Sequence, residues 1–460
     1  MTETATPLAQ ILAEVHWRPE QLADRLNGFA RRQGRMERVH RKTPYKWQAG
    51  DCPRPPWPAL ICALLSEKVQ RIITPLDLGW RDDGIELVPA TAGLELPWTG
   101  AGSLQACRVV TDAGWMHRRM FLTVLGSPMT SPALEWLIAH PAGDVSRRAG
   151  HPLPVEVVDH FDTMTDSLRR MDDQLGGPQA INLVRTHLDA VLELLDQRRY
   201  TNQLGKRLHA CAGELLRLAG WLTFDAGQHA MAQRYWAAAA YAANAAGDRA
   251  LGANVQGFRS CQAKDLGQIR EAVTLAETAR AGYRGQSPIV AAILDLRVAE
   301  ANANAGDVNR SRAAIDAGFD RLNDNPGSFG NPRWSYWFTQ AQADAQAGYC
   351  YMRLGEWARA RSYLGRSGRQ HRQESAREGA LRDLFYATTL AKQERPDLTR
   401  ACQLGEQAVA TLGGQVDSPR CIRHLGTLVD ELRTYRRTPV VRQFYSTAGD
   451  LLSGNDMVRG

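Results

Sequence analysis

The stretch "RKTPYKWQAGDCPRPPW", Arg41 to Trp57, sets a single tryptophan among basic residues, with a glycine just after it and a proline run beyond. Thr43 followed by Pro44 reads as an N-cap and first helical residue, and Gly50 as the stop. At about 100° per residue, Trp47 projects opposite Tyr45, while Tyr45 and Gln48 share a face. The pattern predicts a short helix with its indole turned inward and polar groups turned outward, the geometry of a recognition helix.

Working outward, the charge is concentrated around this helix. From Arg25 to Arg54 there are nine basic residues against Glu37 and Asp51, which equals the net charge of +7 of the whole chain. Such a local excess is a footprint for a polyanion, most simply phosphate backbone. Arg31, Arg32, Arg35, Arg38, Arg41 and Lys42 are the expected phosphate contacts, with Thr43, Tyr45, Lys46 and Gln48 on or beside the reading face. Upstream, Leu8, Ile11, Leu12 and Val15 fall at helical spacing, and Pro19 opens a second helix carrying Leu22, Ala23 and Leu26. Downstream, "PPWPALICALLSEKV" resumes the apolar period.

Three segments carry a family resemblance. "EQLADRLN", "TPYKWQAGDCPRPPWPALICALLSEKVQRIITPLDLGW" and "RRMFLTVLGSPMTSPALEWL" resemble actinomycete regulators that join an XRE-type helix-turn-helix to tetratricopeptide repeats. The connection between the second and third helices is longer than in a minimal XRE domain. Members of that family include regulators of development and secondary metabolism. The resemblance implies a cytoplasmic, sequence-specific transcriptional regulator that binds double-stranded DNA, most simply as a homodimer, and has a repeat domain that dimerises, senses an effector, or both. The alternative is a protein-interaction scaffold whose helix-turn-helix no longer binds DNA.

Residues 81–154, rich in Gly, Pro and Thr, read as a linker with one short ordered segment around Gly114–His140. From residue 155 to 460 the chain becomes helical and alanine-rich. With Gly227 as a register mark, matching glycines recur at Gly267, Gly306 and Gly355, at intervals of 40, 39 and 49 residues. Seven residues before each mark lie Gly220, Ser260, Ala299 and Gly348; five after lie Ala232, Ala272, Ser311 and Ala360; twelve after lie Ala239, Ala279, Gly318 and Ser367. Pro396 extends the register with Thr389, Ala401 and Ala408. Small residues at fixed offsets let paired helices approach closely, as in tetratricopeptide repeats, although the period exceeds the usual ~34.

The expected fold is therefore all-α: a helix-turn-helix domain over 1–80 and a helical-repeat solenoid over 155–460. A solenoid presents a groove lined by the first helix of each repeat. The register nominates Arg217, Trp221, Asn254, Lys264, Glu300, Gln342 and Tyr349 for it, a mixture suited equally to a peptide, a small-molecule effector, or a segment of the protein itself. The aromatic run Phe329–Phe338 fits either a ligand loop or packing of a connection against the solenoid.

The remaining signals are exclusions. The eight cysteines form no CxxC pair, and the histidines no HExxH, so neither a metal site nor any other cofactor is expected. There is no nucleophile elbow and no phosphate loop, so no catalysis is expected. No run reaches the ~18 apolar residues of a membrane span.

Overall fold

The computed structural model describes residues 6–32, 38–54, 57–69, 73, 75–80, 86–87, 95–111, 119–120, 123–175, 177–324, 330–370, 376–414 and 418–457. These residues are almost wholly helical, with two-residue strand pairs only at Glu86–Leu87 with Arg119–Met120 and at His151–Pro152 with Arg198–Arg199. The chain divides into two compact units, the first Met1–Ala92, Asp112–Val124 and Asp456–Gly460, the second Gly93–Thr111 and Leu125–Asn455.

The first unit holds α1 (Pro7–Glu14), α2 (Pro19–Arg32), α3 (Thr43–Gln48) and α4 (Trp57–Val69) around one core that includes Leu12, Leu22, Leu26, Trp47, Ile61 and Leu65. Trp47 is 6% exposed, turned inward as its spacing predicts. Substitution by Ala would empty the middle of a small core, a change that typically costs about 3–5 kcal/mol. Asn27 fixes the connection into α3: its amide nitrogen donates to the Val39 carbonyl at 2.9 Å, and its amide oxygen accepts from Val39 N–H at 2.7 Å.

The start of α3 differs from expectation. Thr43 is the first helical residue rather than the N-cap, and Lys42 precedes it with no side-chain cap. The chain is already turned before Thr43, whose amide donates to the His40 carbonyl at 2.9 Å, so no hydroxyl is needed to start the turn. Gly50 ends the helix at φ +110, and the Asp51 amide reaches back to the Lys46 carbonyl.

The second unit begins well before residue 155. Helix α5 (Gly100–Thr111) and α6 (Ser127–Ile138) are integral to it, and residues 95–111 and 125–154 are packed rather than linking. Composition misleads here because the Gly- and Pro-rich text hides anchoring aromatics. Trp98 lies 4.2 Å from the Tyr241 ring, and Trp136 is fully buried with the Arg249 guanidinium 4.2 Å above it. Arg249 also donates to the carbonyls of Trp136 and Leu137 at the end of α6, where a cation complements the helix dipole.

Helices α7 (Val155–Leu175) and α8 (Gly177–Gln197) precede five helical hairpins. These pair α9 (Asn202–Asp225) with α10 (His229–Ala246), α11 (Arg249–Asp265) with α12 (Ile269–Gly282), and α13 (Pro288–Ala305) with α14 (Val308–Asn323). They continue with α15 (Gln340–Arg353) and α16 (Trp357–Gln370), then α17 (Ala376–Ala391) and α18 (Leu398–Gly414). Helices α19 (Pro419–Glu431) and α20 (Pro439–Met457) follow.

The glycine register is the hairpin turn itself. Gly227, Gly267, Gly306 and Gly355 sit between the two helices of successive hairpins at φ +75 to +79. After each, the next amide reaches a carbonyl five residues back, as Gln228 to Thr223 at 2.8 Å and Glu356 to Tyr351 at 2.9 Å, the Schellman closure that needs a left-handed residue. The small-residue offsets meet across each hairpin. Ser260 Oγ donates to Ala272 O at 2.7 Å, and Ser311 Oγ donates to Ala299 O at 3.0 Å. A Cβ added at Gly220 would stand 2.4 Å from Trp236 Nε1, and one at Gly348 2.6 Å from Leu364 Cγ.

Candidate functional site

The first helices of the hairpins, with α7 and α19, surround a cavity of about 590 Å³ inside the second unit. Two positions of the register contribute to its wall in every one of the first four hairpins. Six residues before each glycine mark are Trp221, Cys261, Glu300 and Tyr349; nine before are Leu218, Phe258, Arg297 and Gln346; all eight line the cavity. Spaced three apart, they form one stripe on each helix.

Of the seven groove residues nominated from sequence, Arg217, Trp221, Lys264, Glu300, Gln342 and Tyr349 lie on this wall. Asn254 does not: it is buried one helical turn before Phe258, and the cavity reaches only the carboxyl half of α11. Tyr336 and Trp337, from the aromatic run, also face the cavity, while Trp334 is buried in the core and Phe329 lies outside the described residues.

The electrostatics are those of paired charges withdrawn from water. Lys264 Nζ stands 2.8 Å from Glu300 Oε1 and 3.1 Å from Asp265 Oδ1, and Arg297 Nη1 stands 2.7 Å from Glu300 Oε2. Burial pushes the Glu300 carboxyl up, but Lys264 and Arg297 outweigh it and hold the group at about 2. Burial likewise opposes the Lys264 ammonium, yet Asp265 and Glu300 raise it well above its ordinary value. Across the cavity, Arg420 donates to Asp225 at 3.0 Å and to Glu378 at 3.1 Å, and Arg377 Nη1 lies 3.6 Å from Asp225. Both guanidinium groups lie over Trp221, at 5.0 Å and 5.7 Å from its ring centre. Burial holds His424 at about 3 despite the pull of Asp265, so its imidazole is neutral.

Sequence reasoning missed Arg297 and Phe258, although the nine-before offset contains both. It also missed Arg169, Arg377, Arg420 and His424, on α7, α17 and α19, where the four glycine marks do not reach.

In the first unit, Arg38, Arg41, Lys42, Tyr45 and Lys46 are exposed, while Thr43 and Gln48 are half-buried. The side chains of Arg31 and Arg32, and all of Arg35, lie outside what is described. The Tyr45 hydroxyl donates to Glu20 of α2, and Arg41 Nη2 lies 3.3 Å from Asp24. Gln48 accepts a hydrogen bond from Thr6 Oγ1 through its backbone carbonyl at 2.7 Å, leaving its side chain out of that bond.

Seven of the eight cysteines are buried thiols; Cys52 is exposed, and none of the eight is in a disulfide. Among the described residues no cluster of His, Cys, Asp and Glu could hold a metal ion, and no helix is long and apolar enough to cross a membrane.

A family model described as the SP15 N-terminal domain matches residues 8–81, the span of the first four helices and the turn after them. No curated protein matches the chain. Among solved structures, the crystal structure of the P58(IPK) TPR domain is similar at 11% identity, covering 78% of this chain and 90% of that one, with a TM-score of 0.20. The crystal structure of the yeast Tom70 is similar at 12% identity, covering 94% of this chain and 98% of that one, with a TM-score of 0.27.

Proposed function

We propose that the chain is a helical-repeat interaction protein that takes up a ligand in the interior of its second unit. One observation carries the reading: the first helices of successive hairpins converge on a single cavity through the same two register positions, and they place charge and aromatic surface there instead of core. Buried charges are costly to keep where packing alone is needed. A thermal-shift screen of the full chain with a tetrapeptide mixture and a panel of small organic acids tests it. A stabilising compound whose effect disappears in Gln342→Trp, which fills the cavity, is expected. A screen without any compound sensitive to that substitution overturns the reading.

A second reading concerns the first unit. Inward Trp47, with Tyr45, Lys46 and the exposed Arg38, Arg41 and Lys42 outside, supports duplex DNA binding, and with it a regulator of the XRE and tetratricopeptide type acting on two-fold DNA sites as a homodimer. The carboxylates of Glu20 and Asp24 beside Tyr45 and Arg41 favour the scaffold instead, because they place negative charge on the face that would meet phosphate. Selection from random genomic fragments separates the two. Enrichment of a common motif, relaxed at one base position by about 1–3 kcal/mol in Gln48→Ala, supports the regulator. Absence of duplex binding at low ionic strength with the first unit folded leaves the scaffold.

A further inference from the structure

The charges that line the cavity are answered by the protein itself. Lys264 and Arg297 pair with Glu300, Lys264 also with Asp265, Arg420 with Asp225 and Glu378, and Arg377 with Asp225. Arg169 bridges Asp166 and Glu214. Arg382 donates to Ser367 Oγ at 3.4 Å with the charge of Asp383 beside it, and Arg217 lies over Phe258 at 5.8 Å. The remaining cation on the wall, Arg170, is exposed to solvent. A charged ligand would compete with partners already in place, and breaking a buried pair on one side is strongly destabilising. An uncharged ligand meets no such competition.

Two amides stand apart from these pairs. Gln342 and Gln346, one turn apart on α15, both line the cavity. Gln346 is 9% exposed, and its Oε1 has no hydrogen-bond partner among the described residues. The Gln342 side chain has none there either; only its backbone amide is bonded, to Thr339 Oγ1. Buried polar groups are ordinarily satisfied, so an open amide on the wall of a cavity marks a contact that the protein does not supply. The terminal torsion of glutamine is broad, so the group can turn both its oxygen and its nitrogen to a guest.

We propose that the cavity is a receptor for an uncharged flat heteroaromatic ring with a lactam edge, an N–H beside a carbonyl, read by Gln346 and Gln342. The inference rests on the cavity being a binding site. A carboxamide carries a donor and an acceptor in one plane, so it pairs bidentately with such an edge, as glutamine does with adenine. Within a trans peptide unit the N–H and C=O point in opposite directions, so a lactam matches the carboxamide where a peptide unit does not. Trp221, Trp337, Tyr349 and Phe385 line the same space and offer stacking to the flat faces. His424, held neutral by burial, adds one more uncharged donor and acceptor. The volume of about 590 Å³ lies within the roughly 300–1,000 Å³ of small-molecule sites, and the cavity is half open, so a ring can enter.

Isothermal titration of the full chain at neutral pH with isoquinolin-1-one and its N-methyl derivative, which lacks only the ring N–H, tests the proposal. A third probe, 2-naphthoate, supplies charge without the edge. The lactam is expected to bind at least about tenfold more tightly than either of the others, as loss of the paired hydrogen bonds requires. Gln342→Trp should abolish that binding. Gln346→Met should bring the lactam down to the affinity of the N-methyl compound. It should also leave the Tm of the empty chain unchanged or raised, since it removes an unsatisfied amide; a merely structural glutamine would lower it. Equal affinity for the lactam and its N-methyl derivative overturns the edge. A lactam preference that survives in both Gln346→Met and Gln342→Met overturns the two glutamines as its readers. Binding of naphthoate or of a peptide without the lactam, lost in Gln342→Trp, overturns the ligand class while the cavity stands as a binding site. No response to any probe, together with a blank screen of peptides and acids, overturns both.

Discussion

Two clusters of basic residues in this chain obey different physics. Arg41 meets Asp24 on the surface of the first unit with both side chains more than half exposed, whereas Lys264 meets Glu300 with almost nine-tenths of each hidden. Water screens the first pair, which contributes ~0–1 kcal/mol. The second pair has given up its hydration, so each partner depends on the other. The same residue types therefore serve a removable contact in one place and an architectural commitment in the other.

Acid should expose the contrast most. Burial holds His209 and His229 at about 4 and His424 at about 3 in the folded second unit, below the ordinary 6.5. Folded-state values below unfolded ones mean that the unfolded chain binds more protons as pH falls. The stability these imidazoles provide is thus complete above about 6.5 and is lost on the way down to 4 and 3. Asp383, raised to about 6 by burial, works in the opposite sense, as do Asp189, Asp248 and Asp295, which burial also raises, while Asp265 and Glu300, held at about 2 by neighbouring cations, act with the imidazoles. Melts between pH 7 and 4 should show Tm falling for the second unit, and an unchanged or rising Tm would refute this account.

Next in size, Glu300→Ala should destabilise by about 3–5 kcal/mol, because it leaves Lys264 and Arg297 facing each other in the wall. Urea unfolding monitored by tryptophan fluorescence reads this directly, and a loss below 1 kcal/mol would show that the network is already hydrated. Gly220→Ala should cost about 1–3 kcal/mol through overpacking against Trp236. The same substitution at Gly247, where an added Cβ meets nothing within 4 Å but φ is +77, tests backbone strain alone and gives the reference value. Smallest of all, Asp24→Ala should leave stability within about 1 kcal/mol. If the first unit binds duplex DNA, that variant should bind it more tightly by removing a negative neighbour; equal affinity would mean that Arg41 lies off the contact surface.

Legibility in the sequence followed how local each determinant is. A left-handed glycine with small residues at fixed offsets is a short-range pattern, so the hairpins could be read, and with them most of the nominated groove. Trp47 could be read because its inward turn follows from helix geometry alone. Arg420 and Asp225 are 195 residues apart, and no period relates them. Trp136 could not be seen as an anchor because its socket, Gly252 and Gly282, belongs to helices more than a hundred residues further on. The expected linker failed for that reason: glycine and proline content describes the backbone's freedom and says nothing of a distant pocket waiting for an indole.

The bond between α19 and α9 changes how the repeat array can come apart. An open stack of hairpins frays from either end, each repeat lost at the cost of one interface. Joining the first hairpin to the helix that follows the last one makes a circuit, so neither end of the hairpin array can peel away until the junction breaks. Unfolding should then be a single sharp event in the native chain, and Asp225→Asn should convert it into a broad, stepwise one.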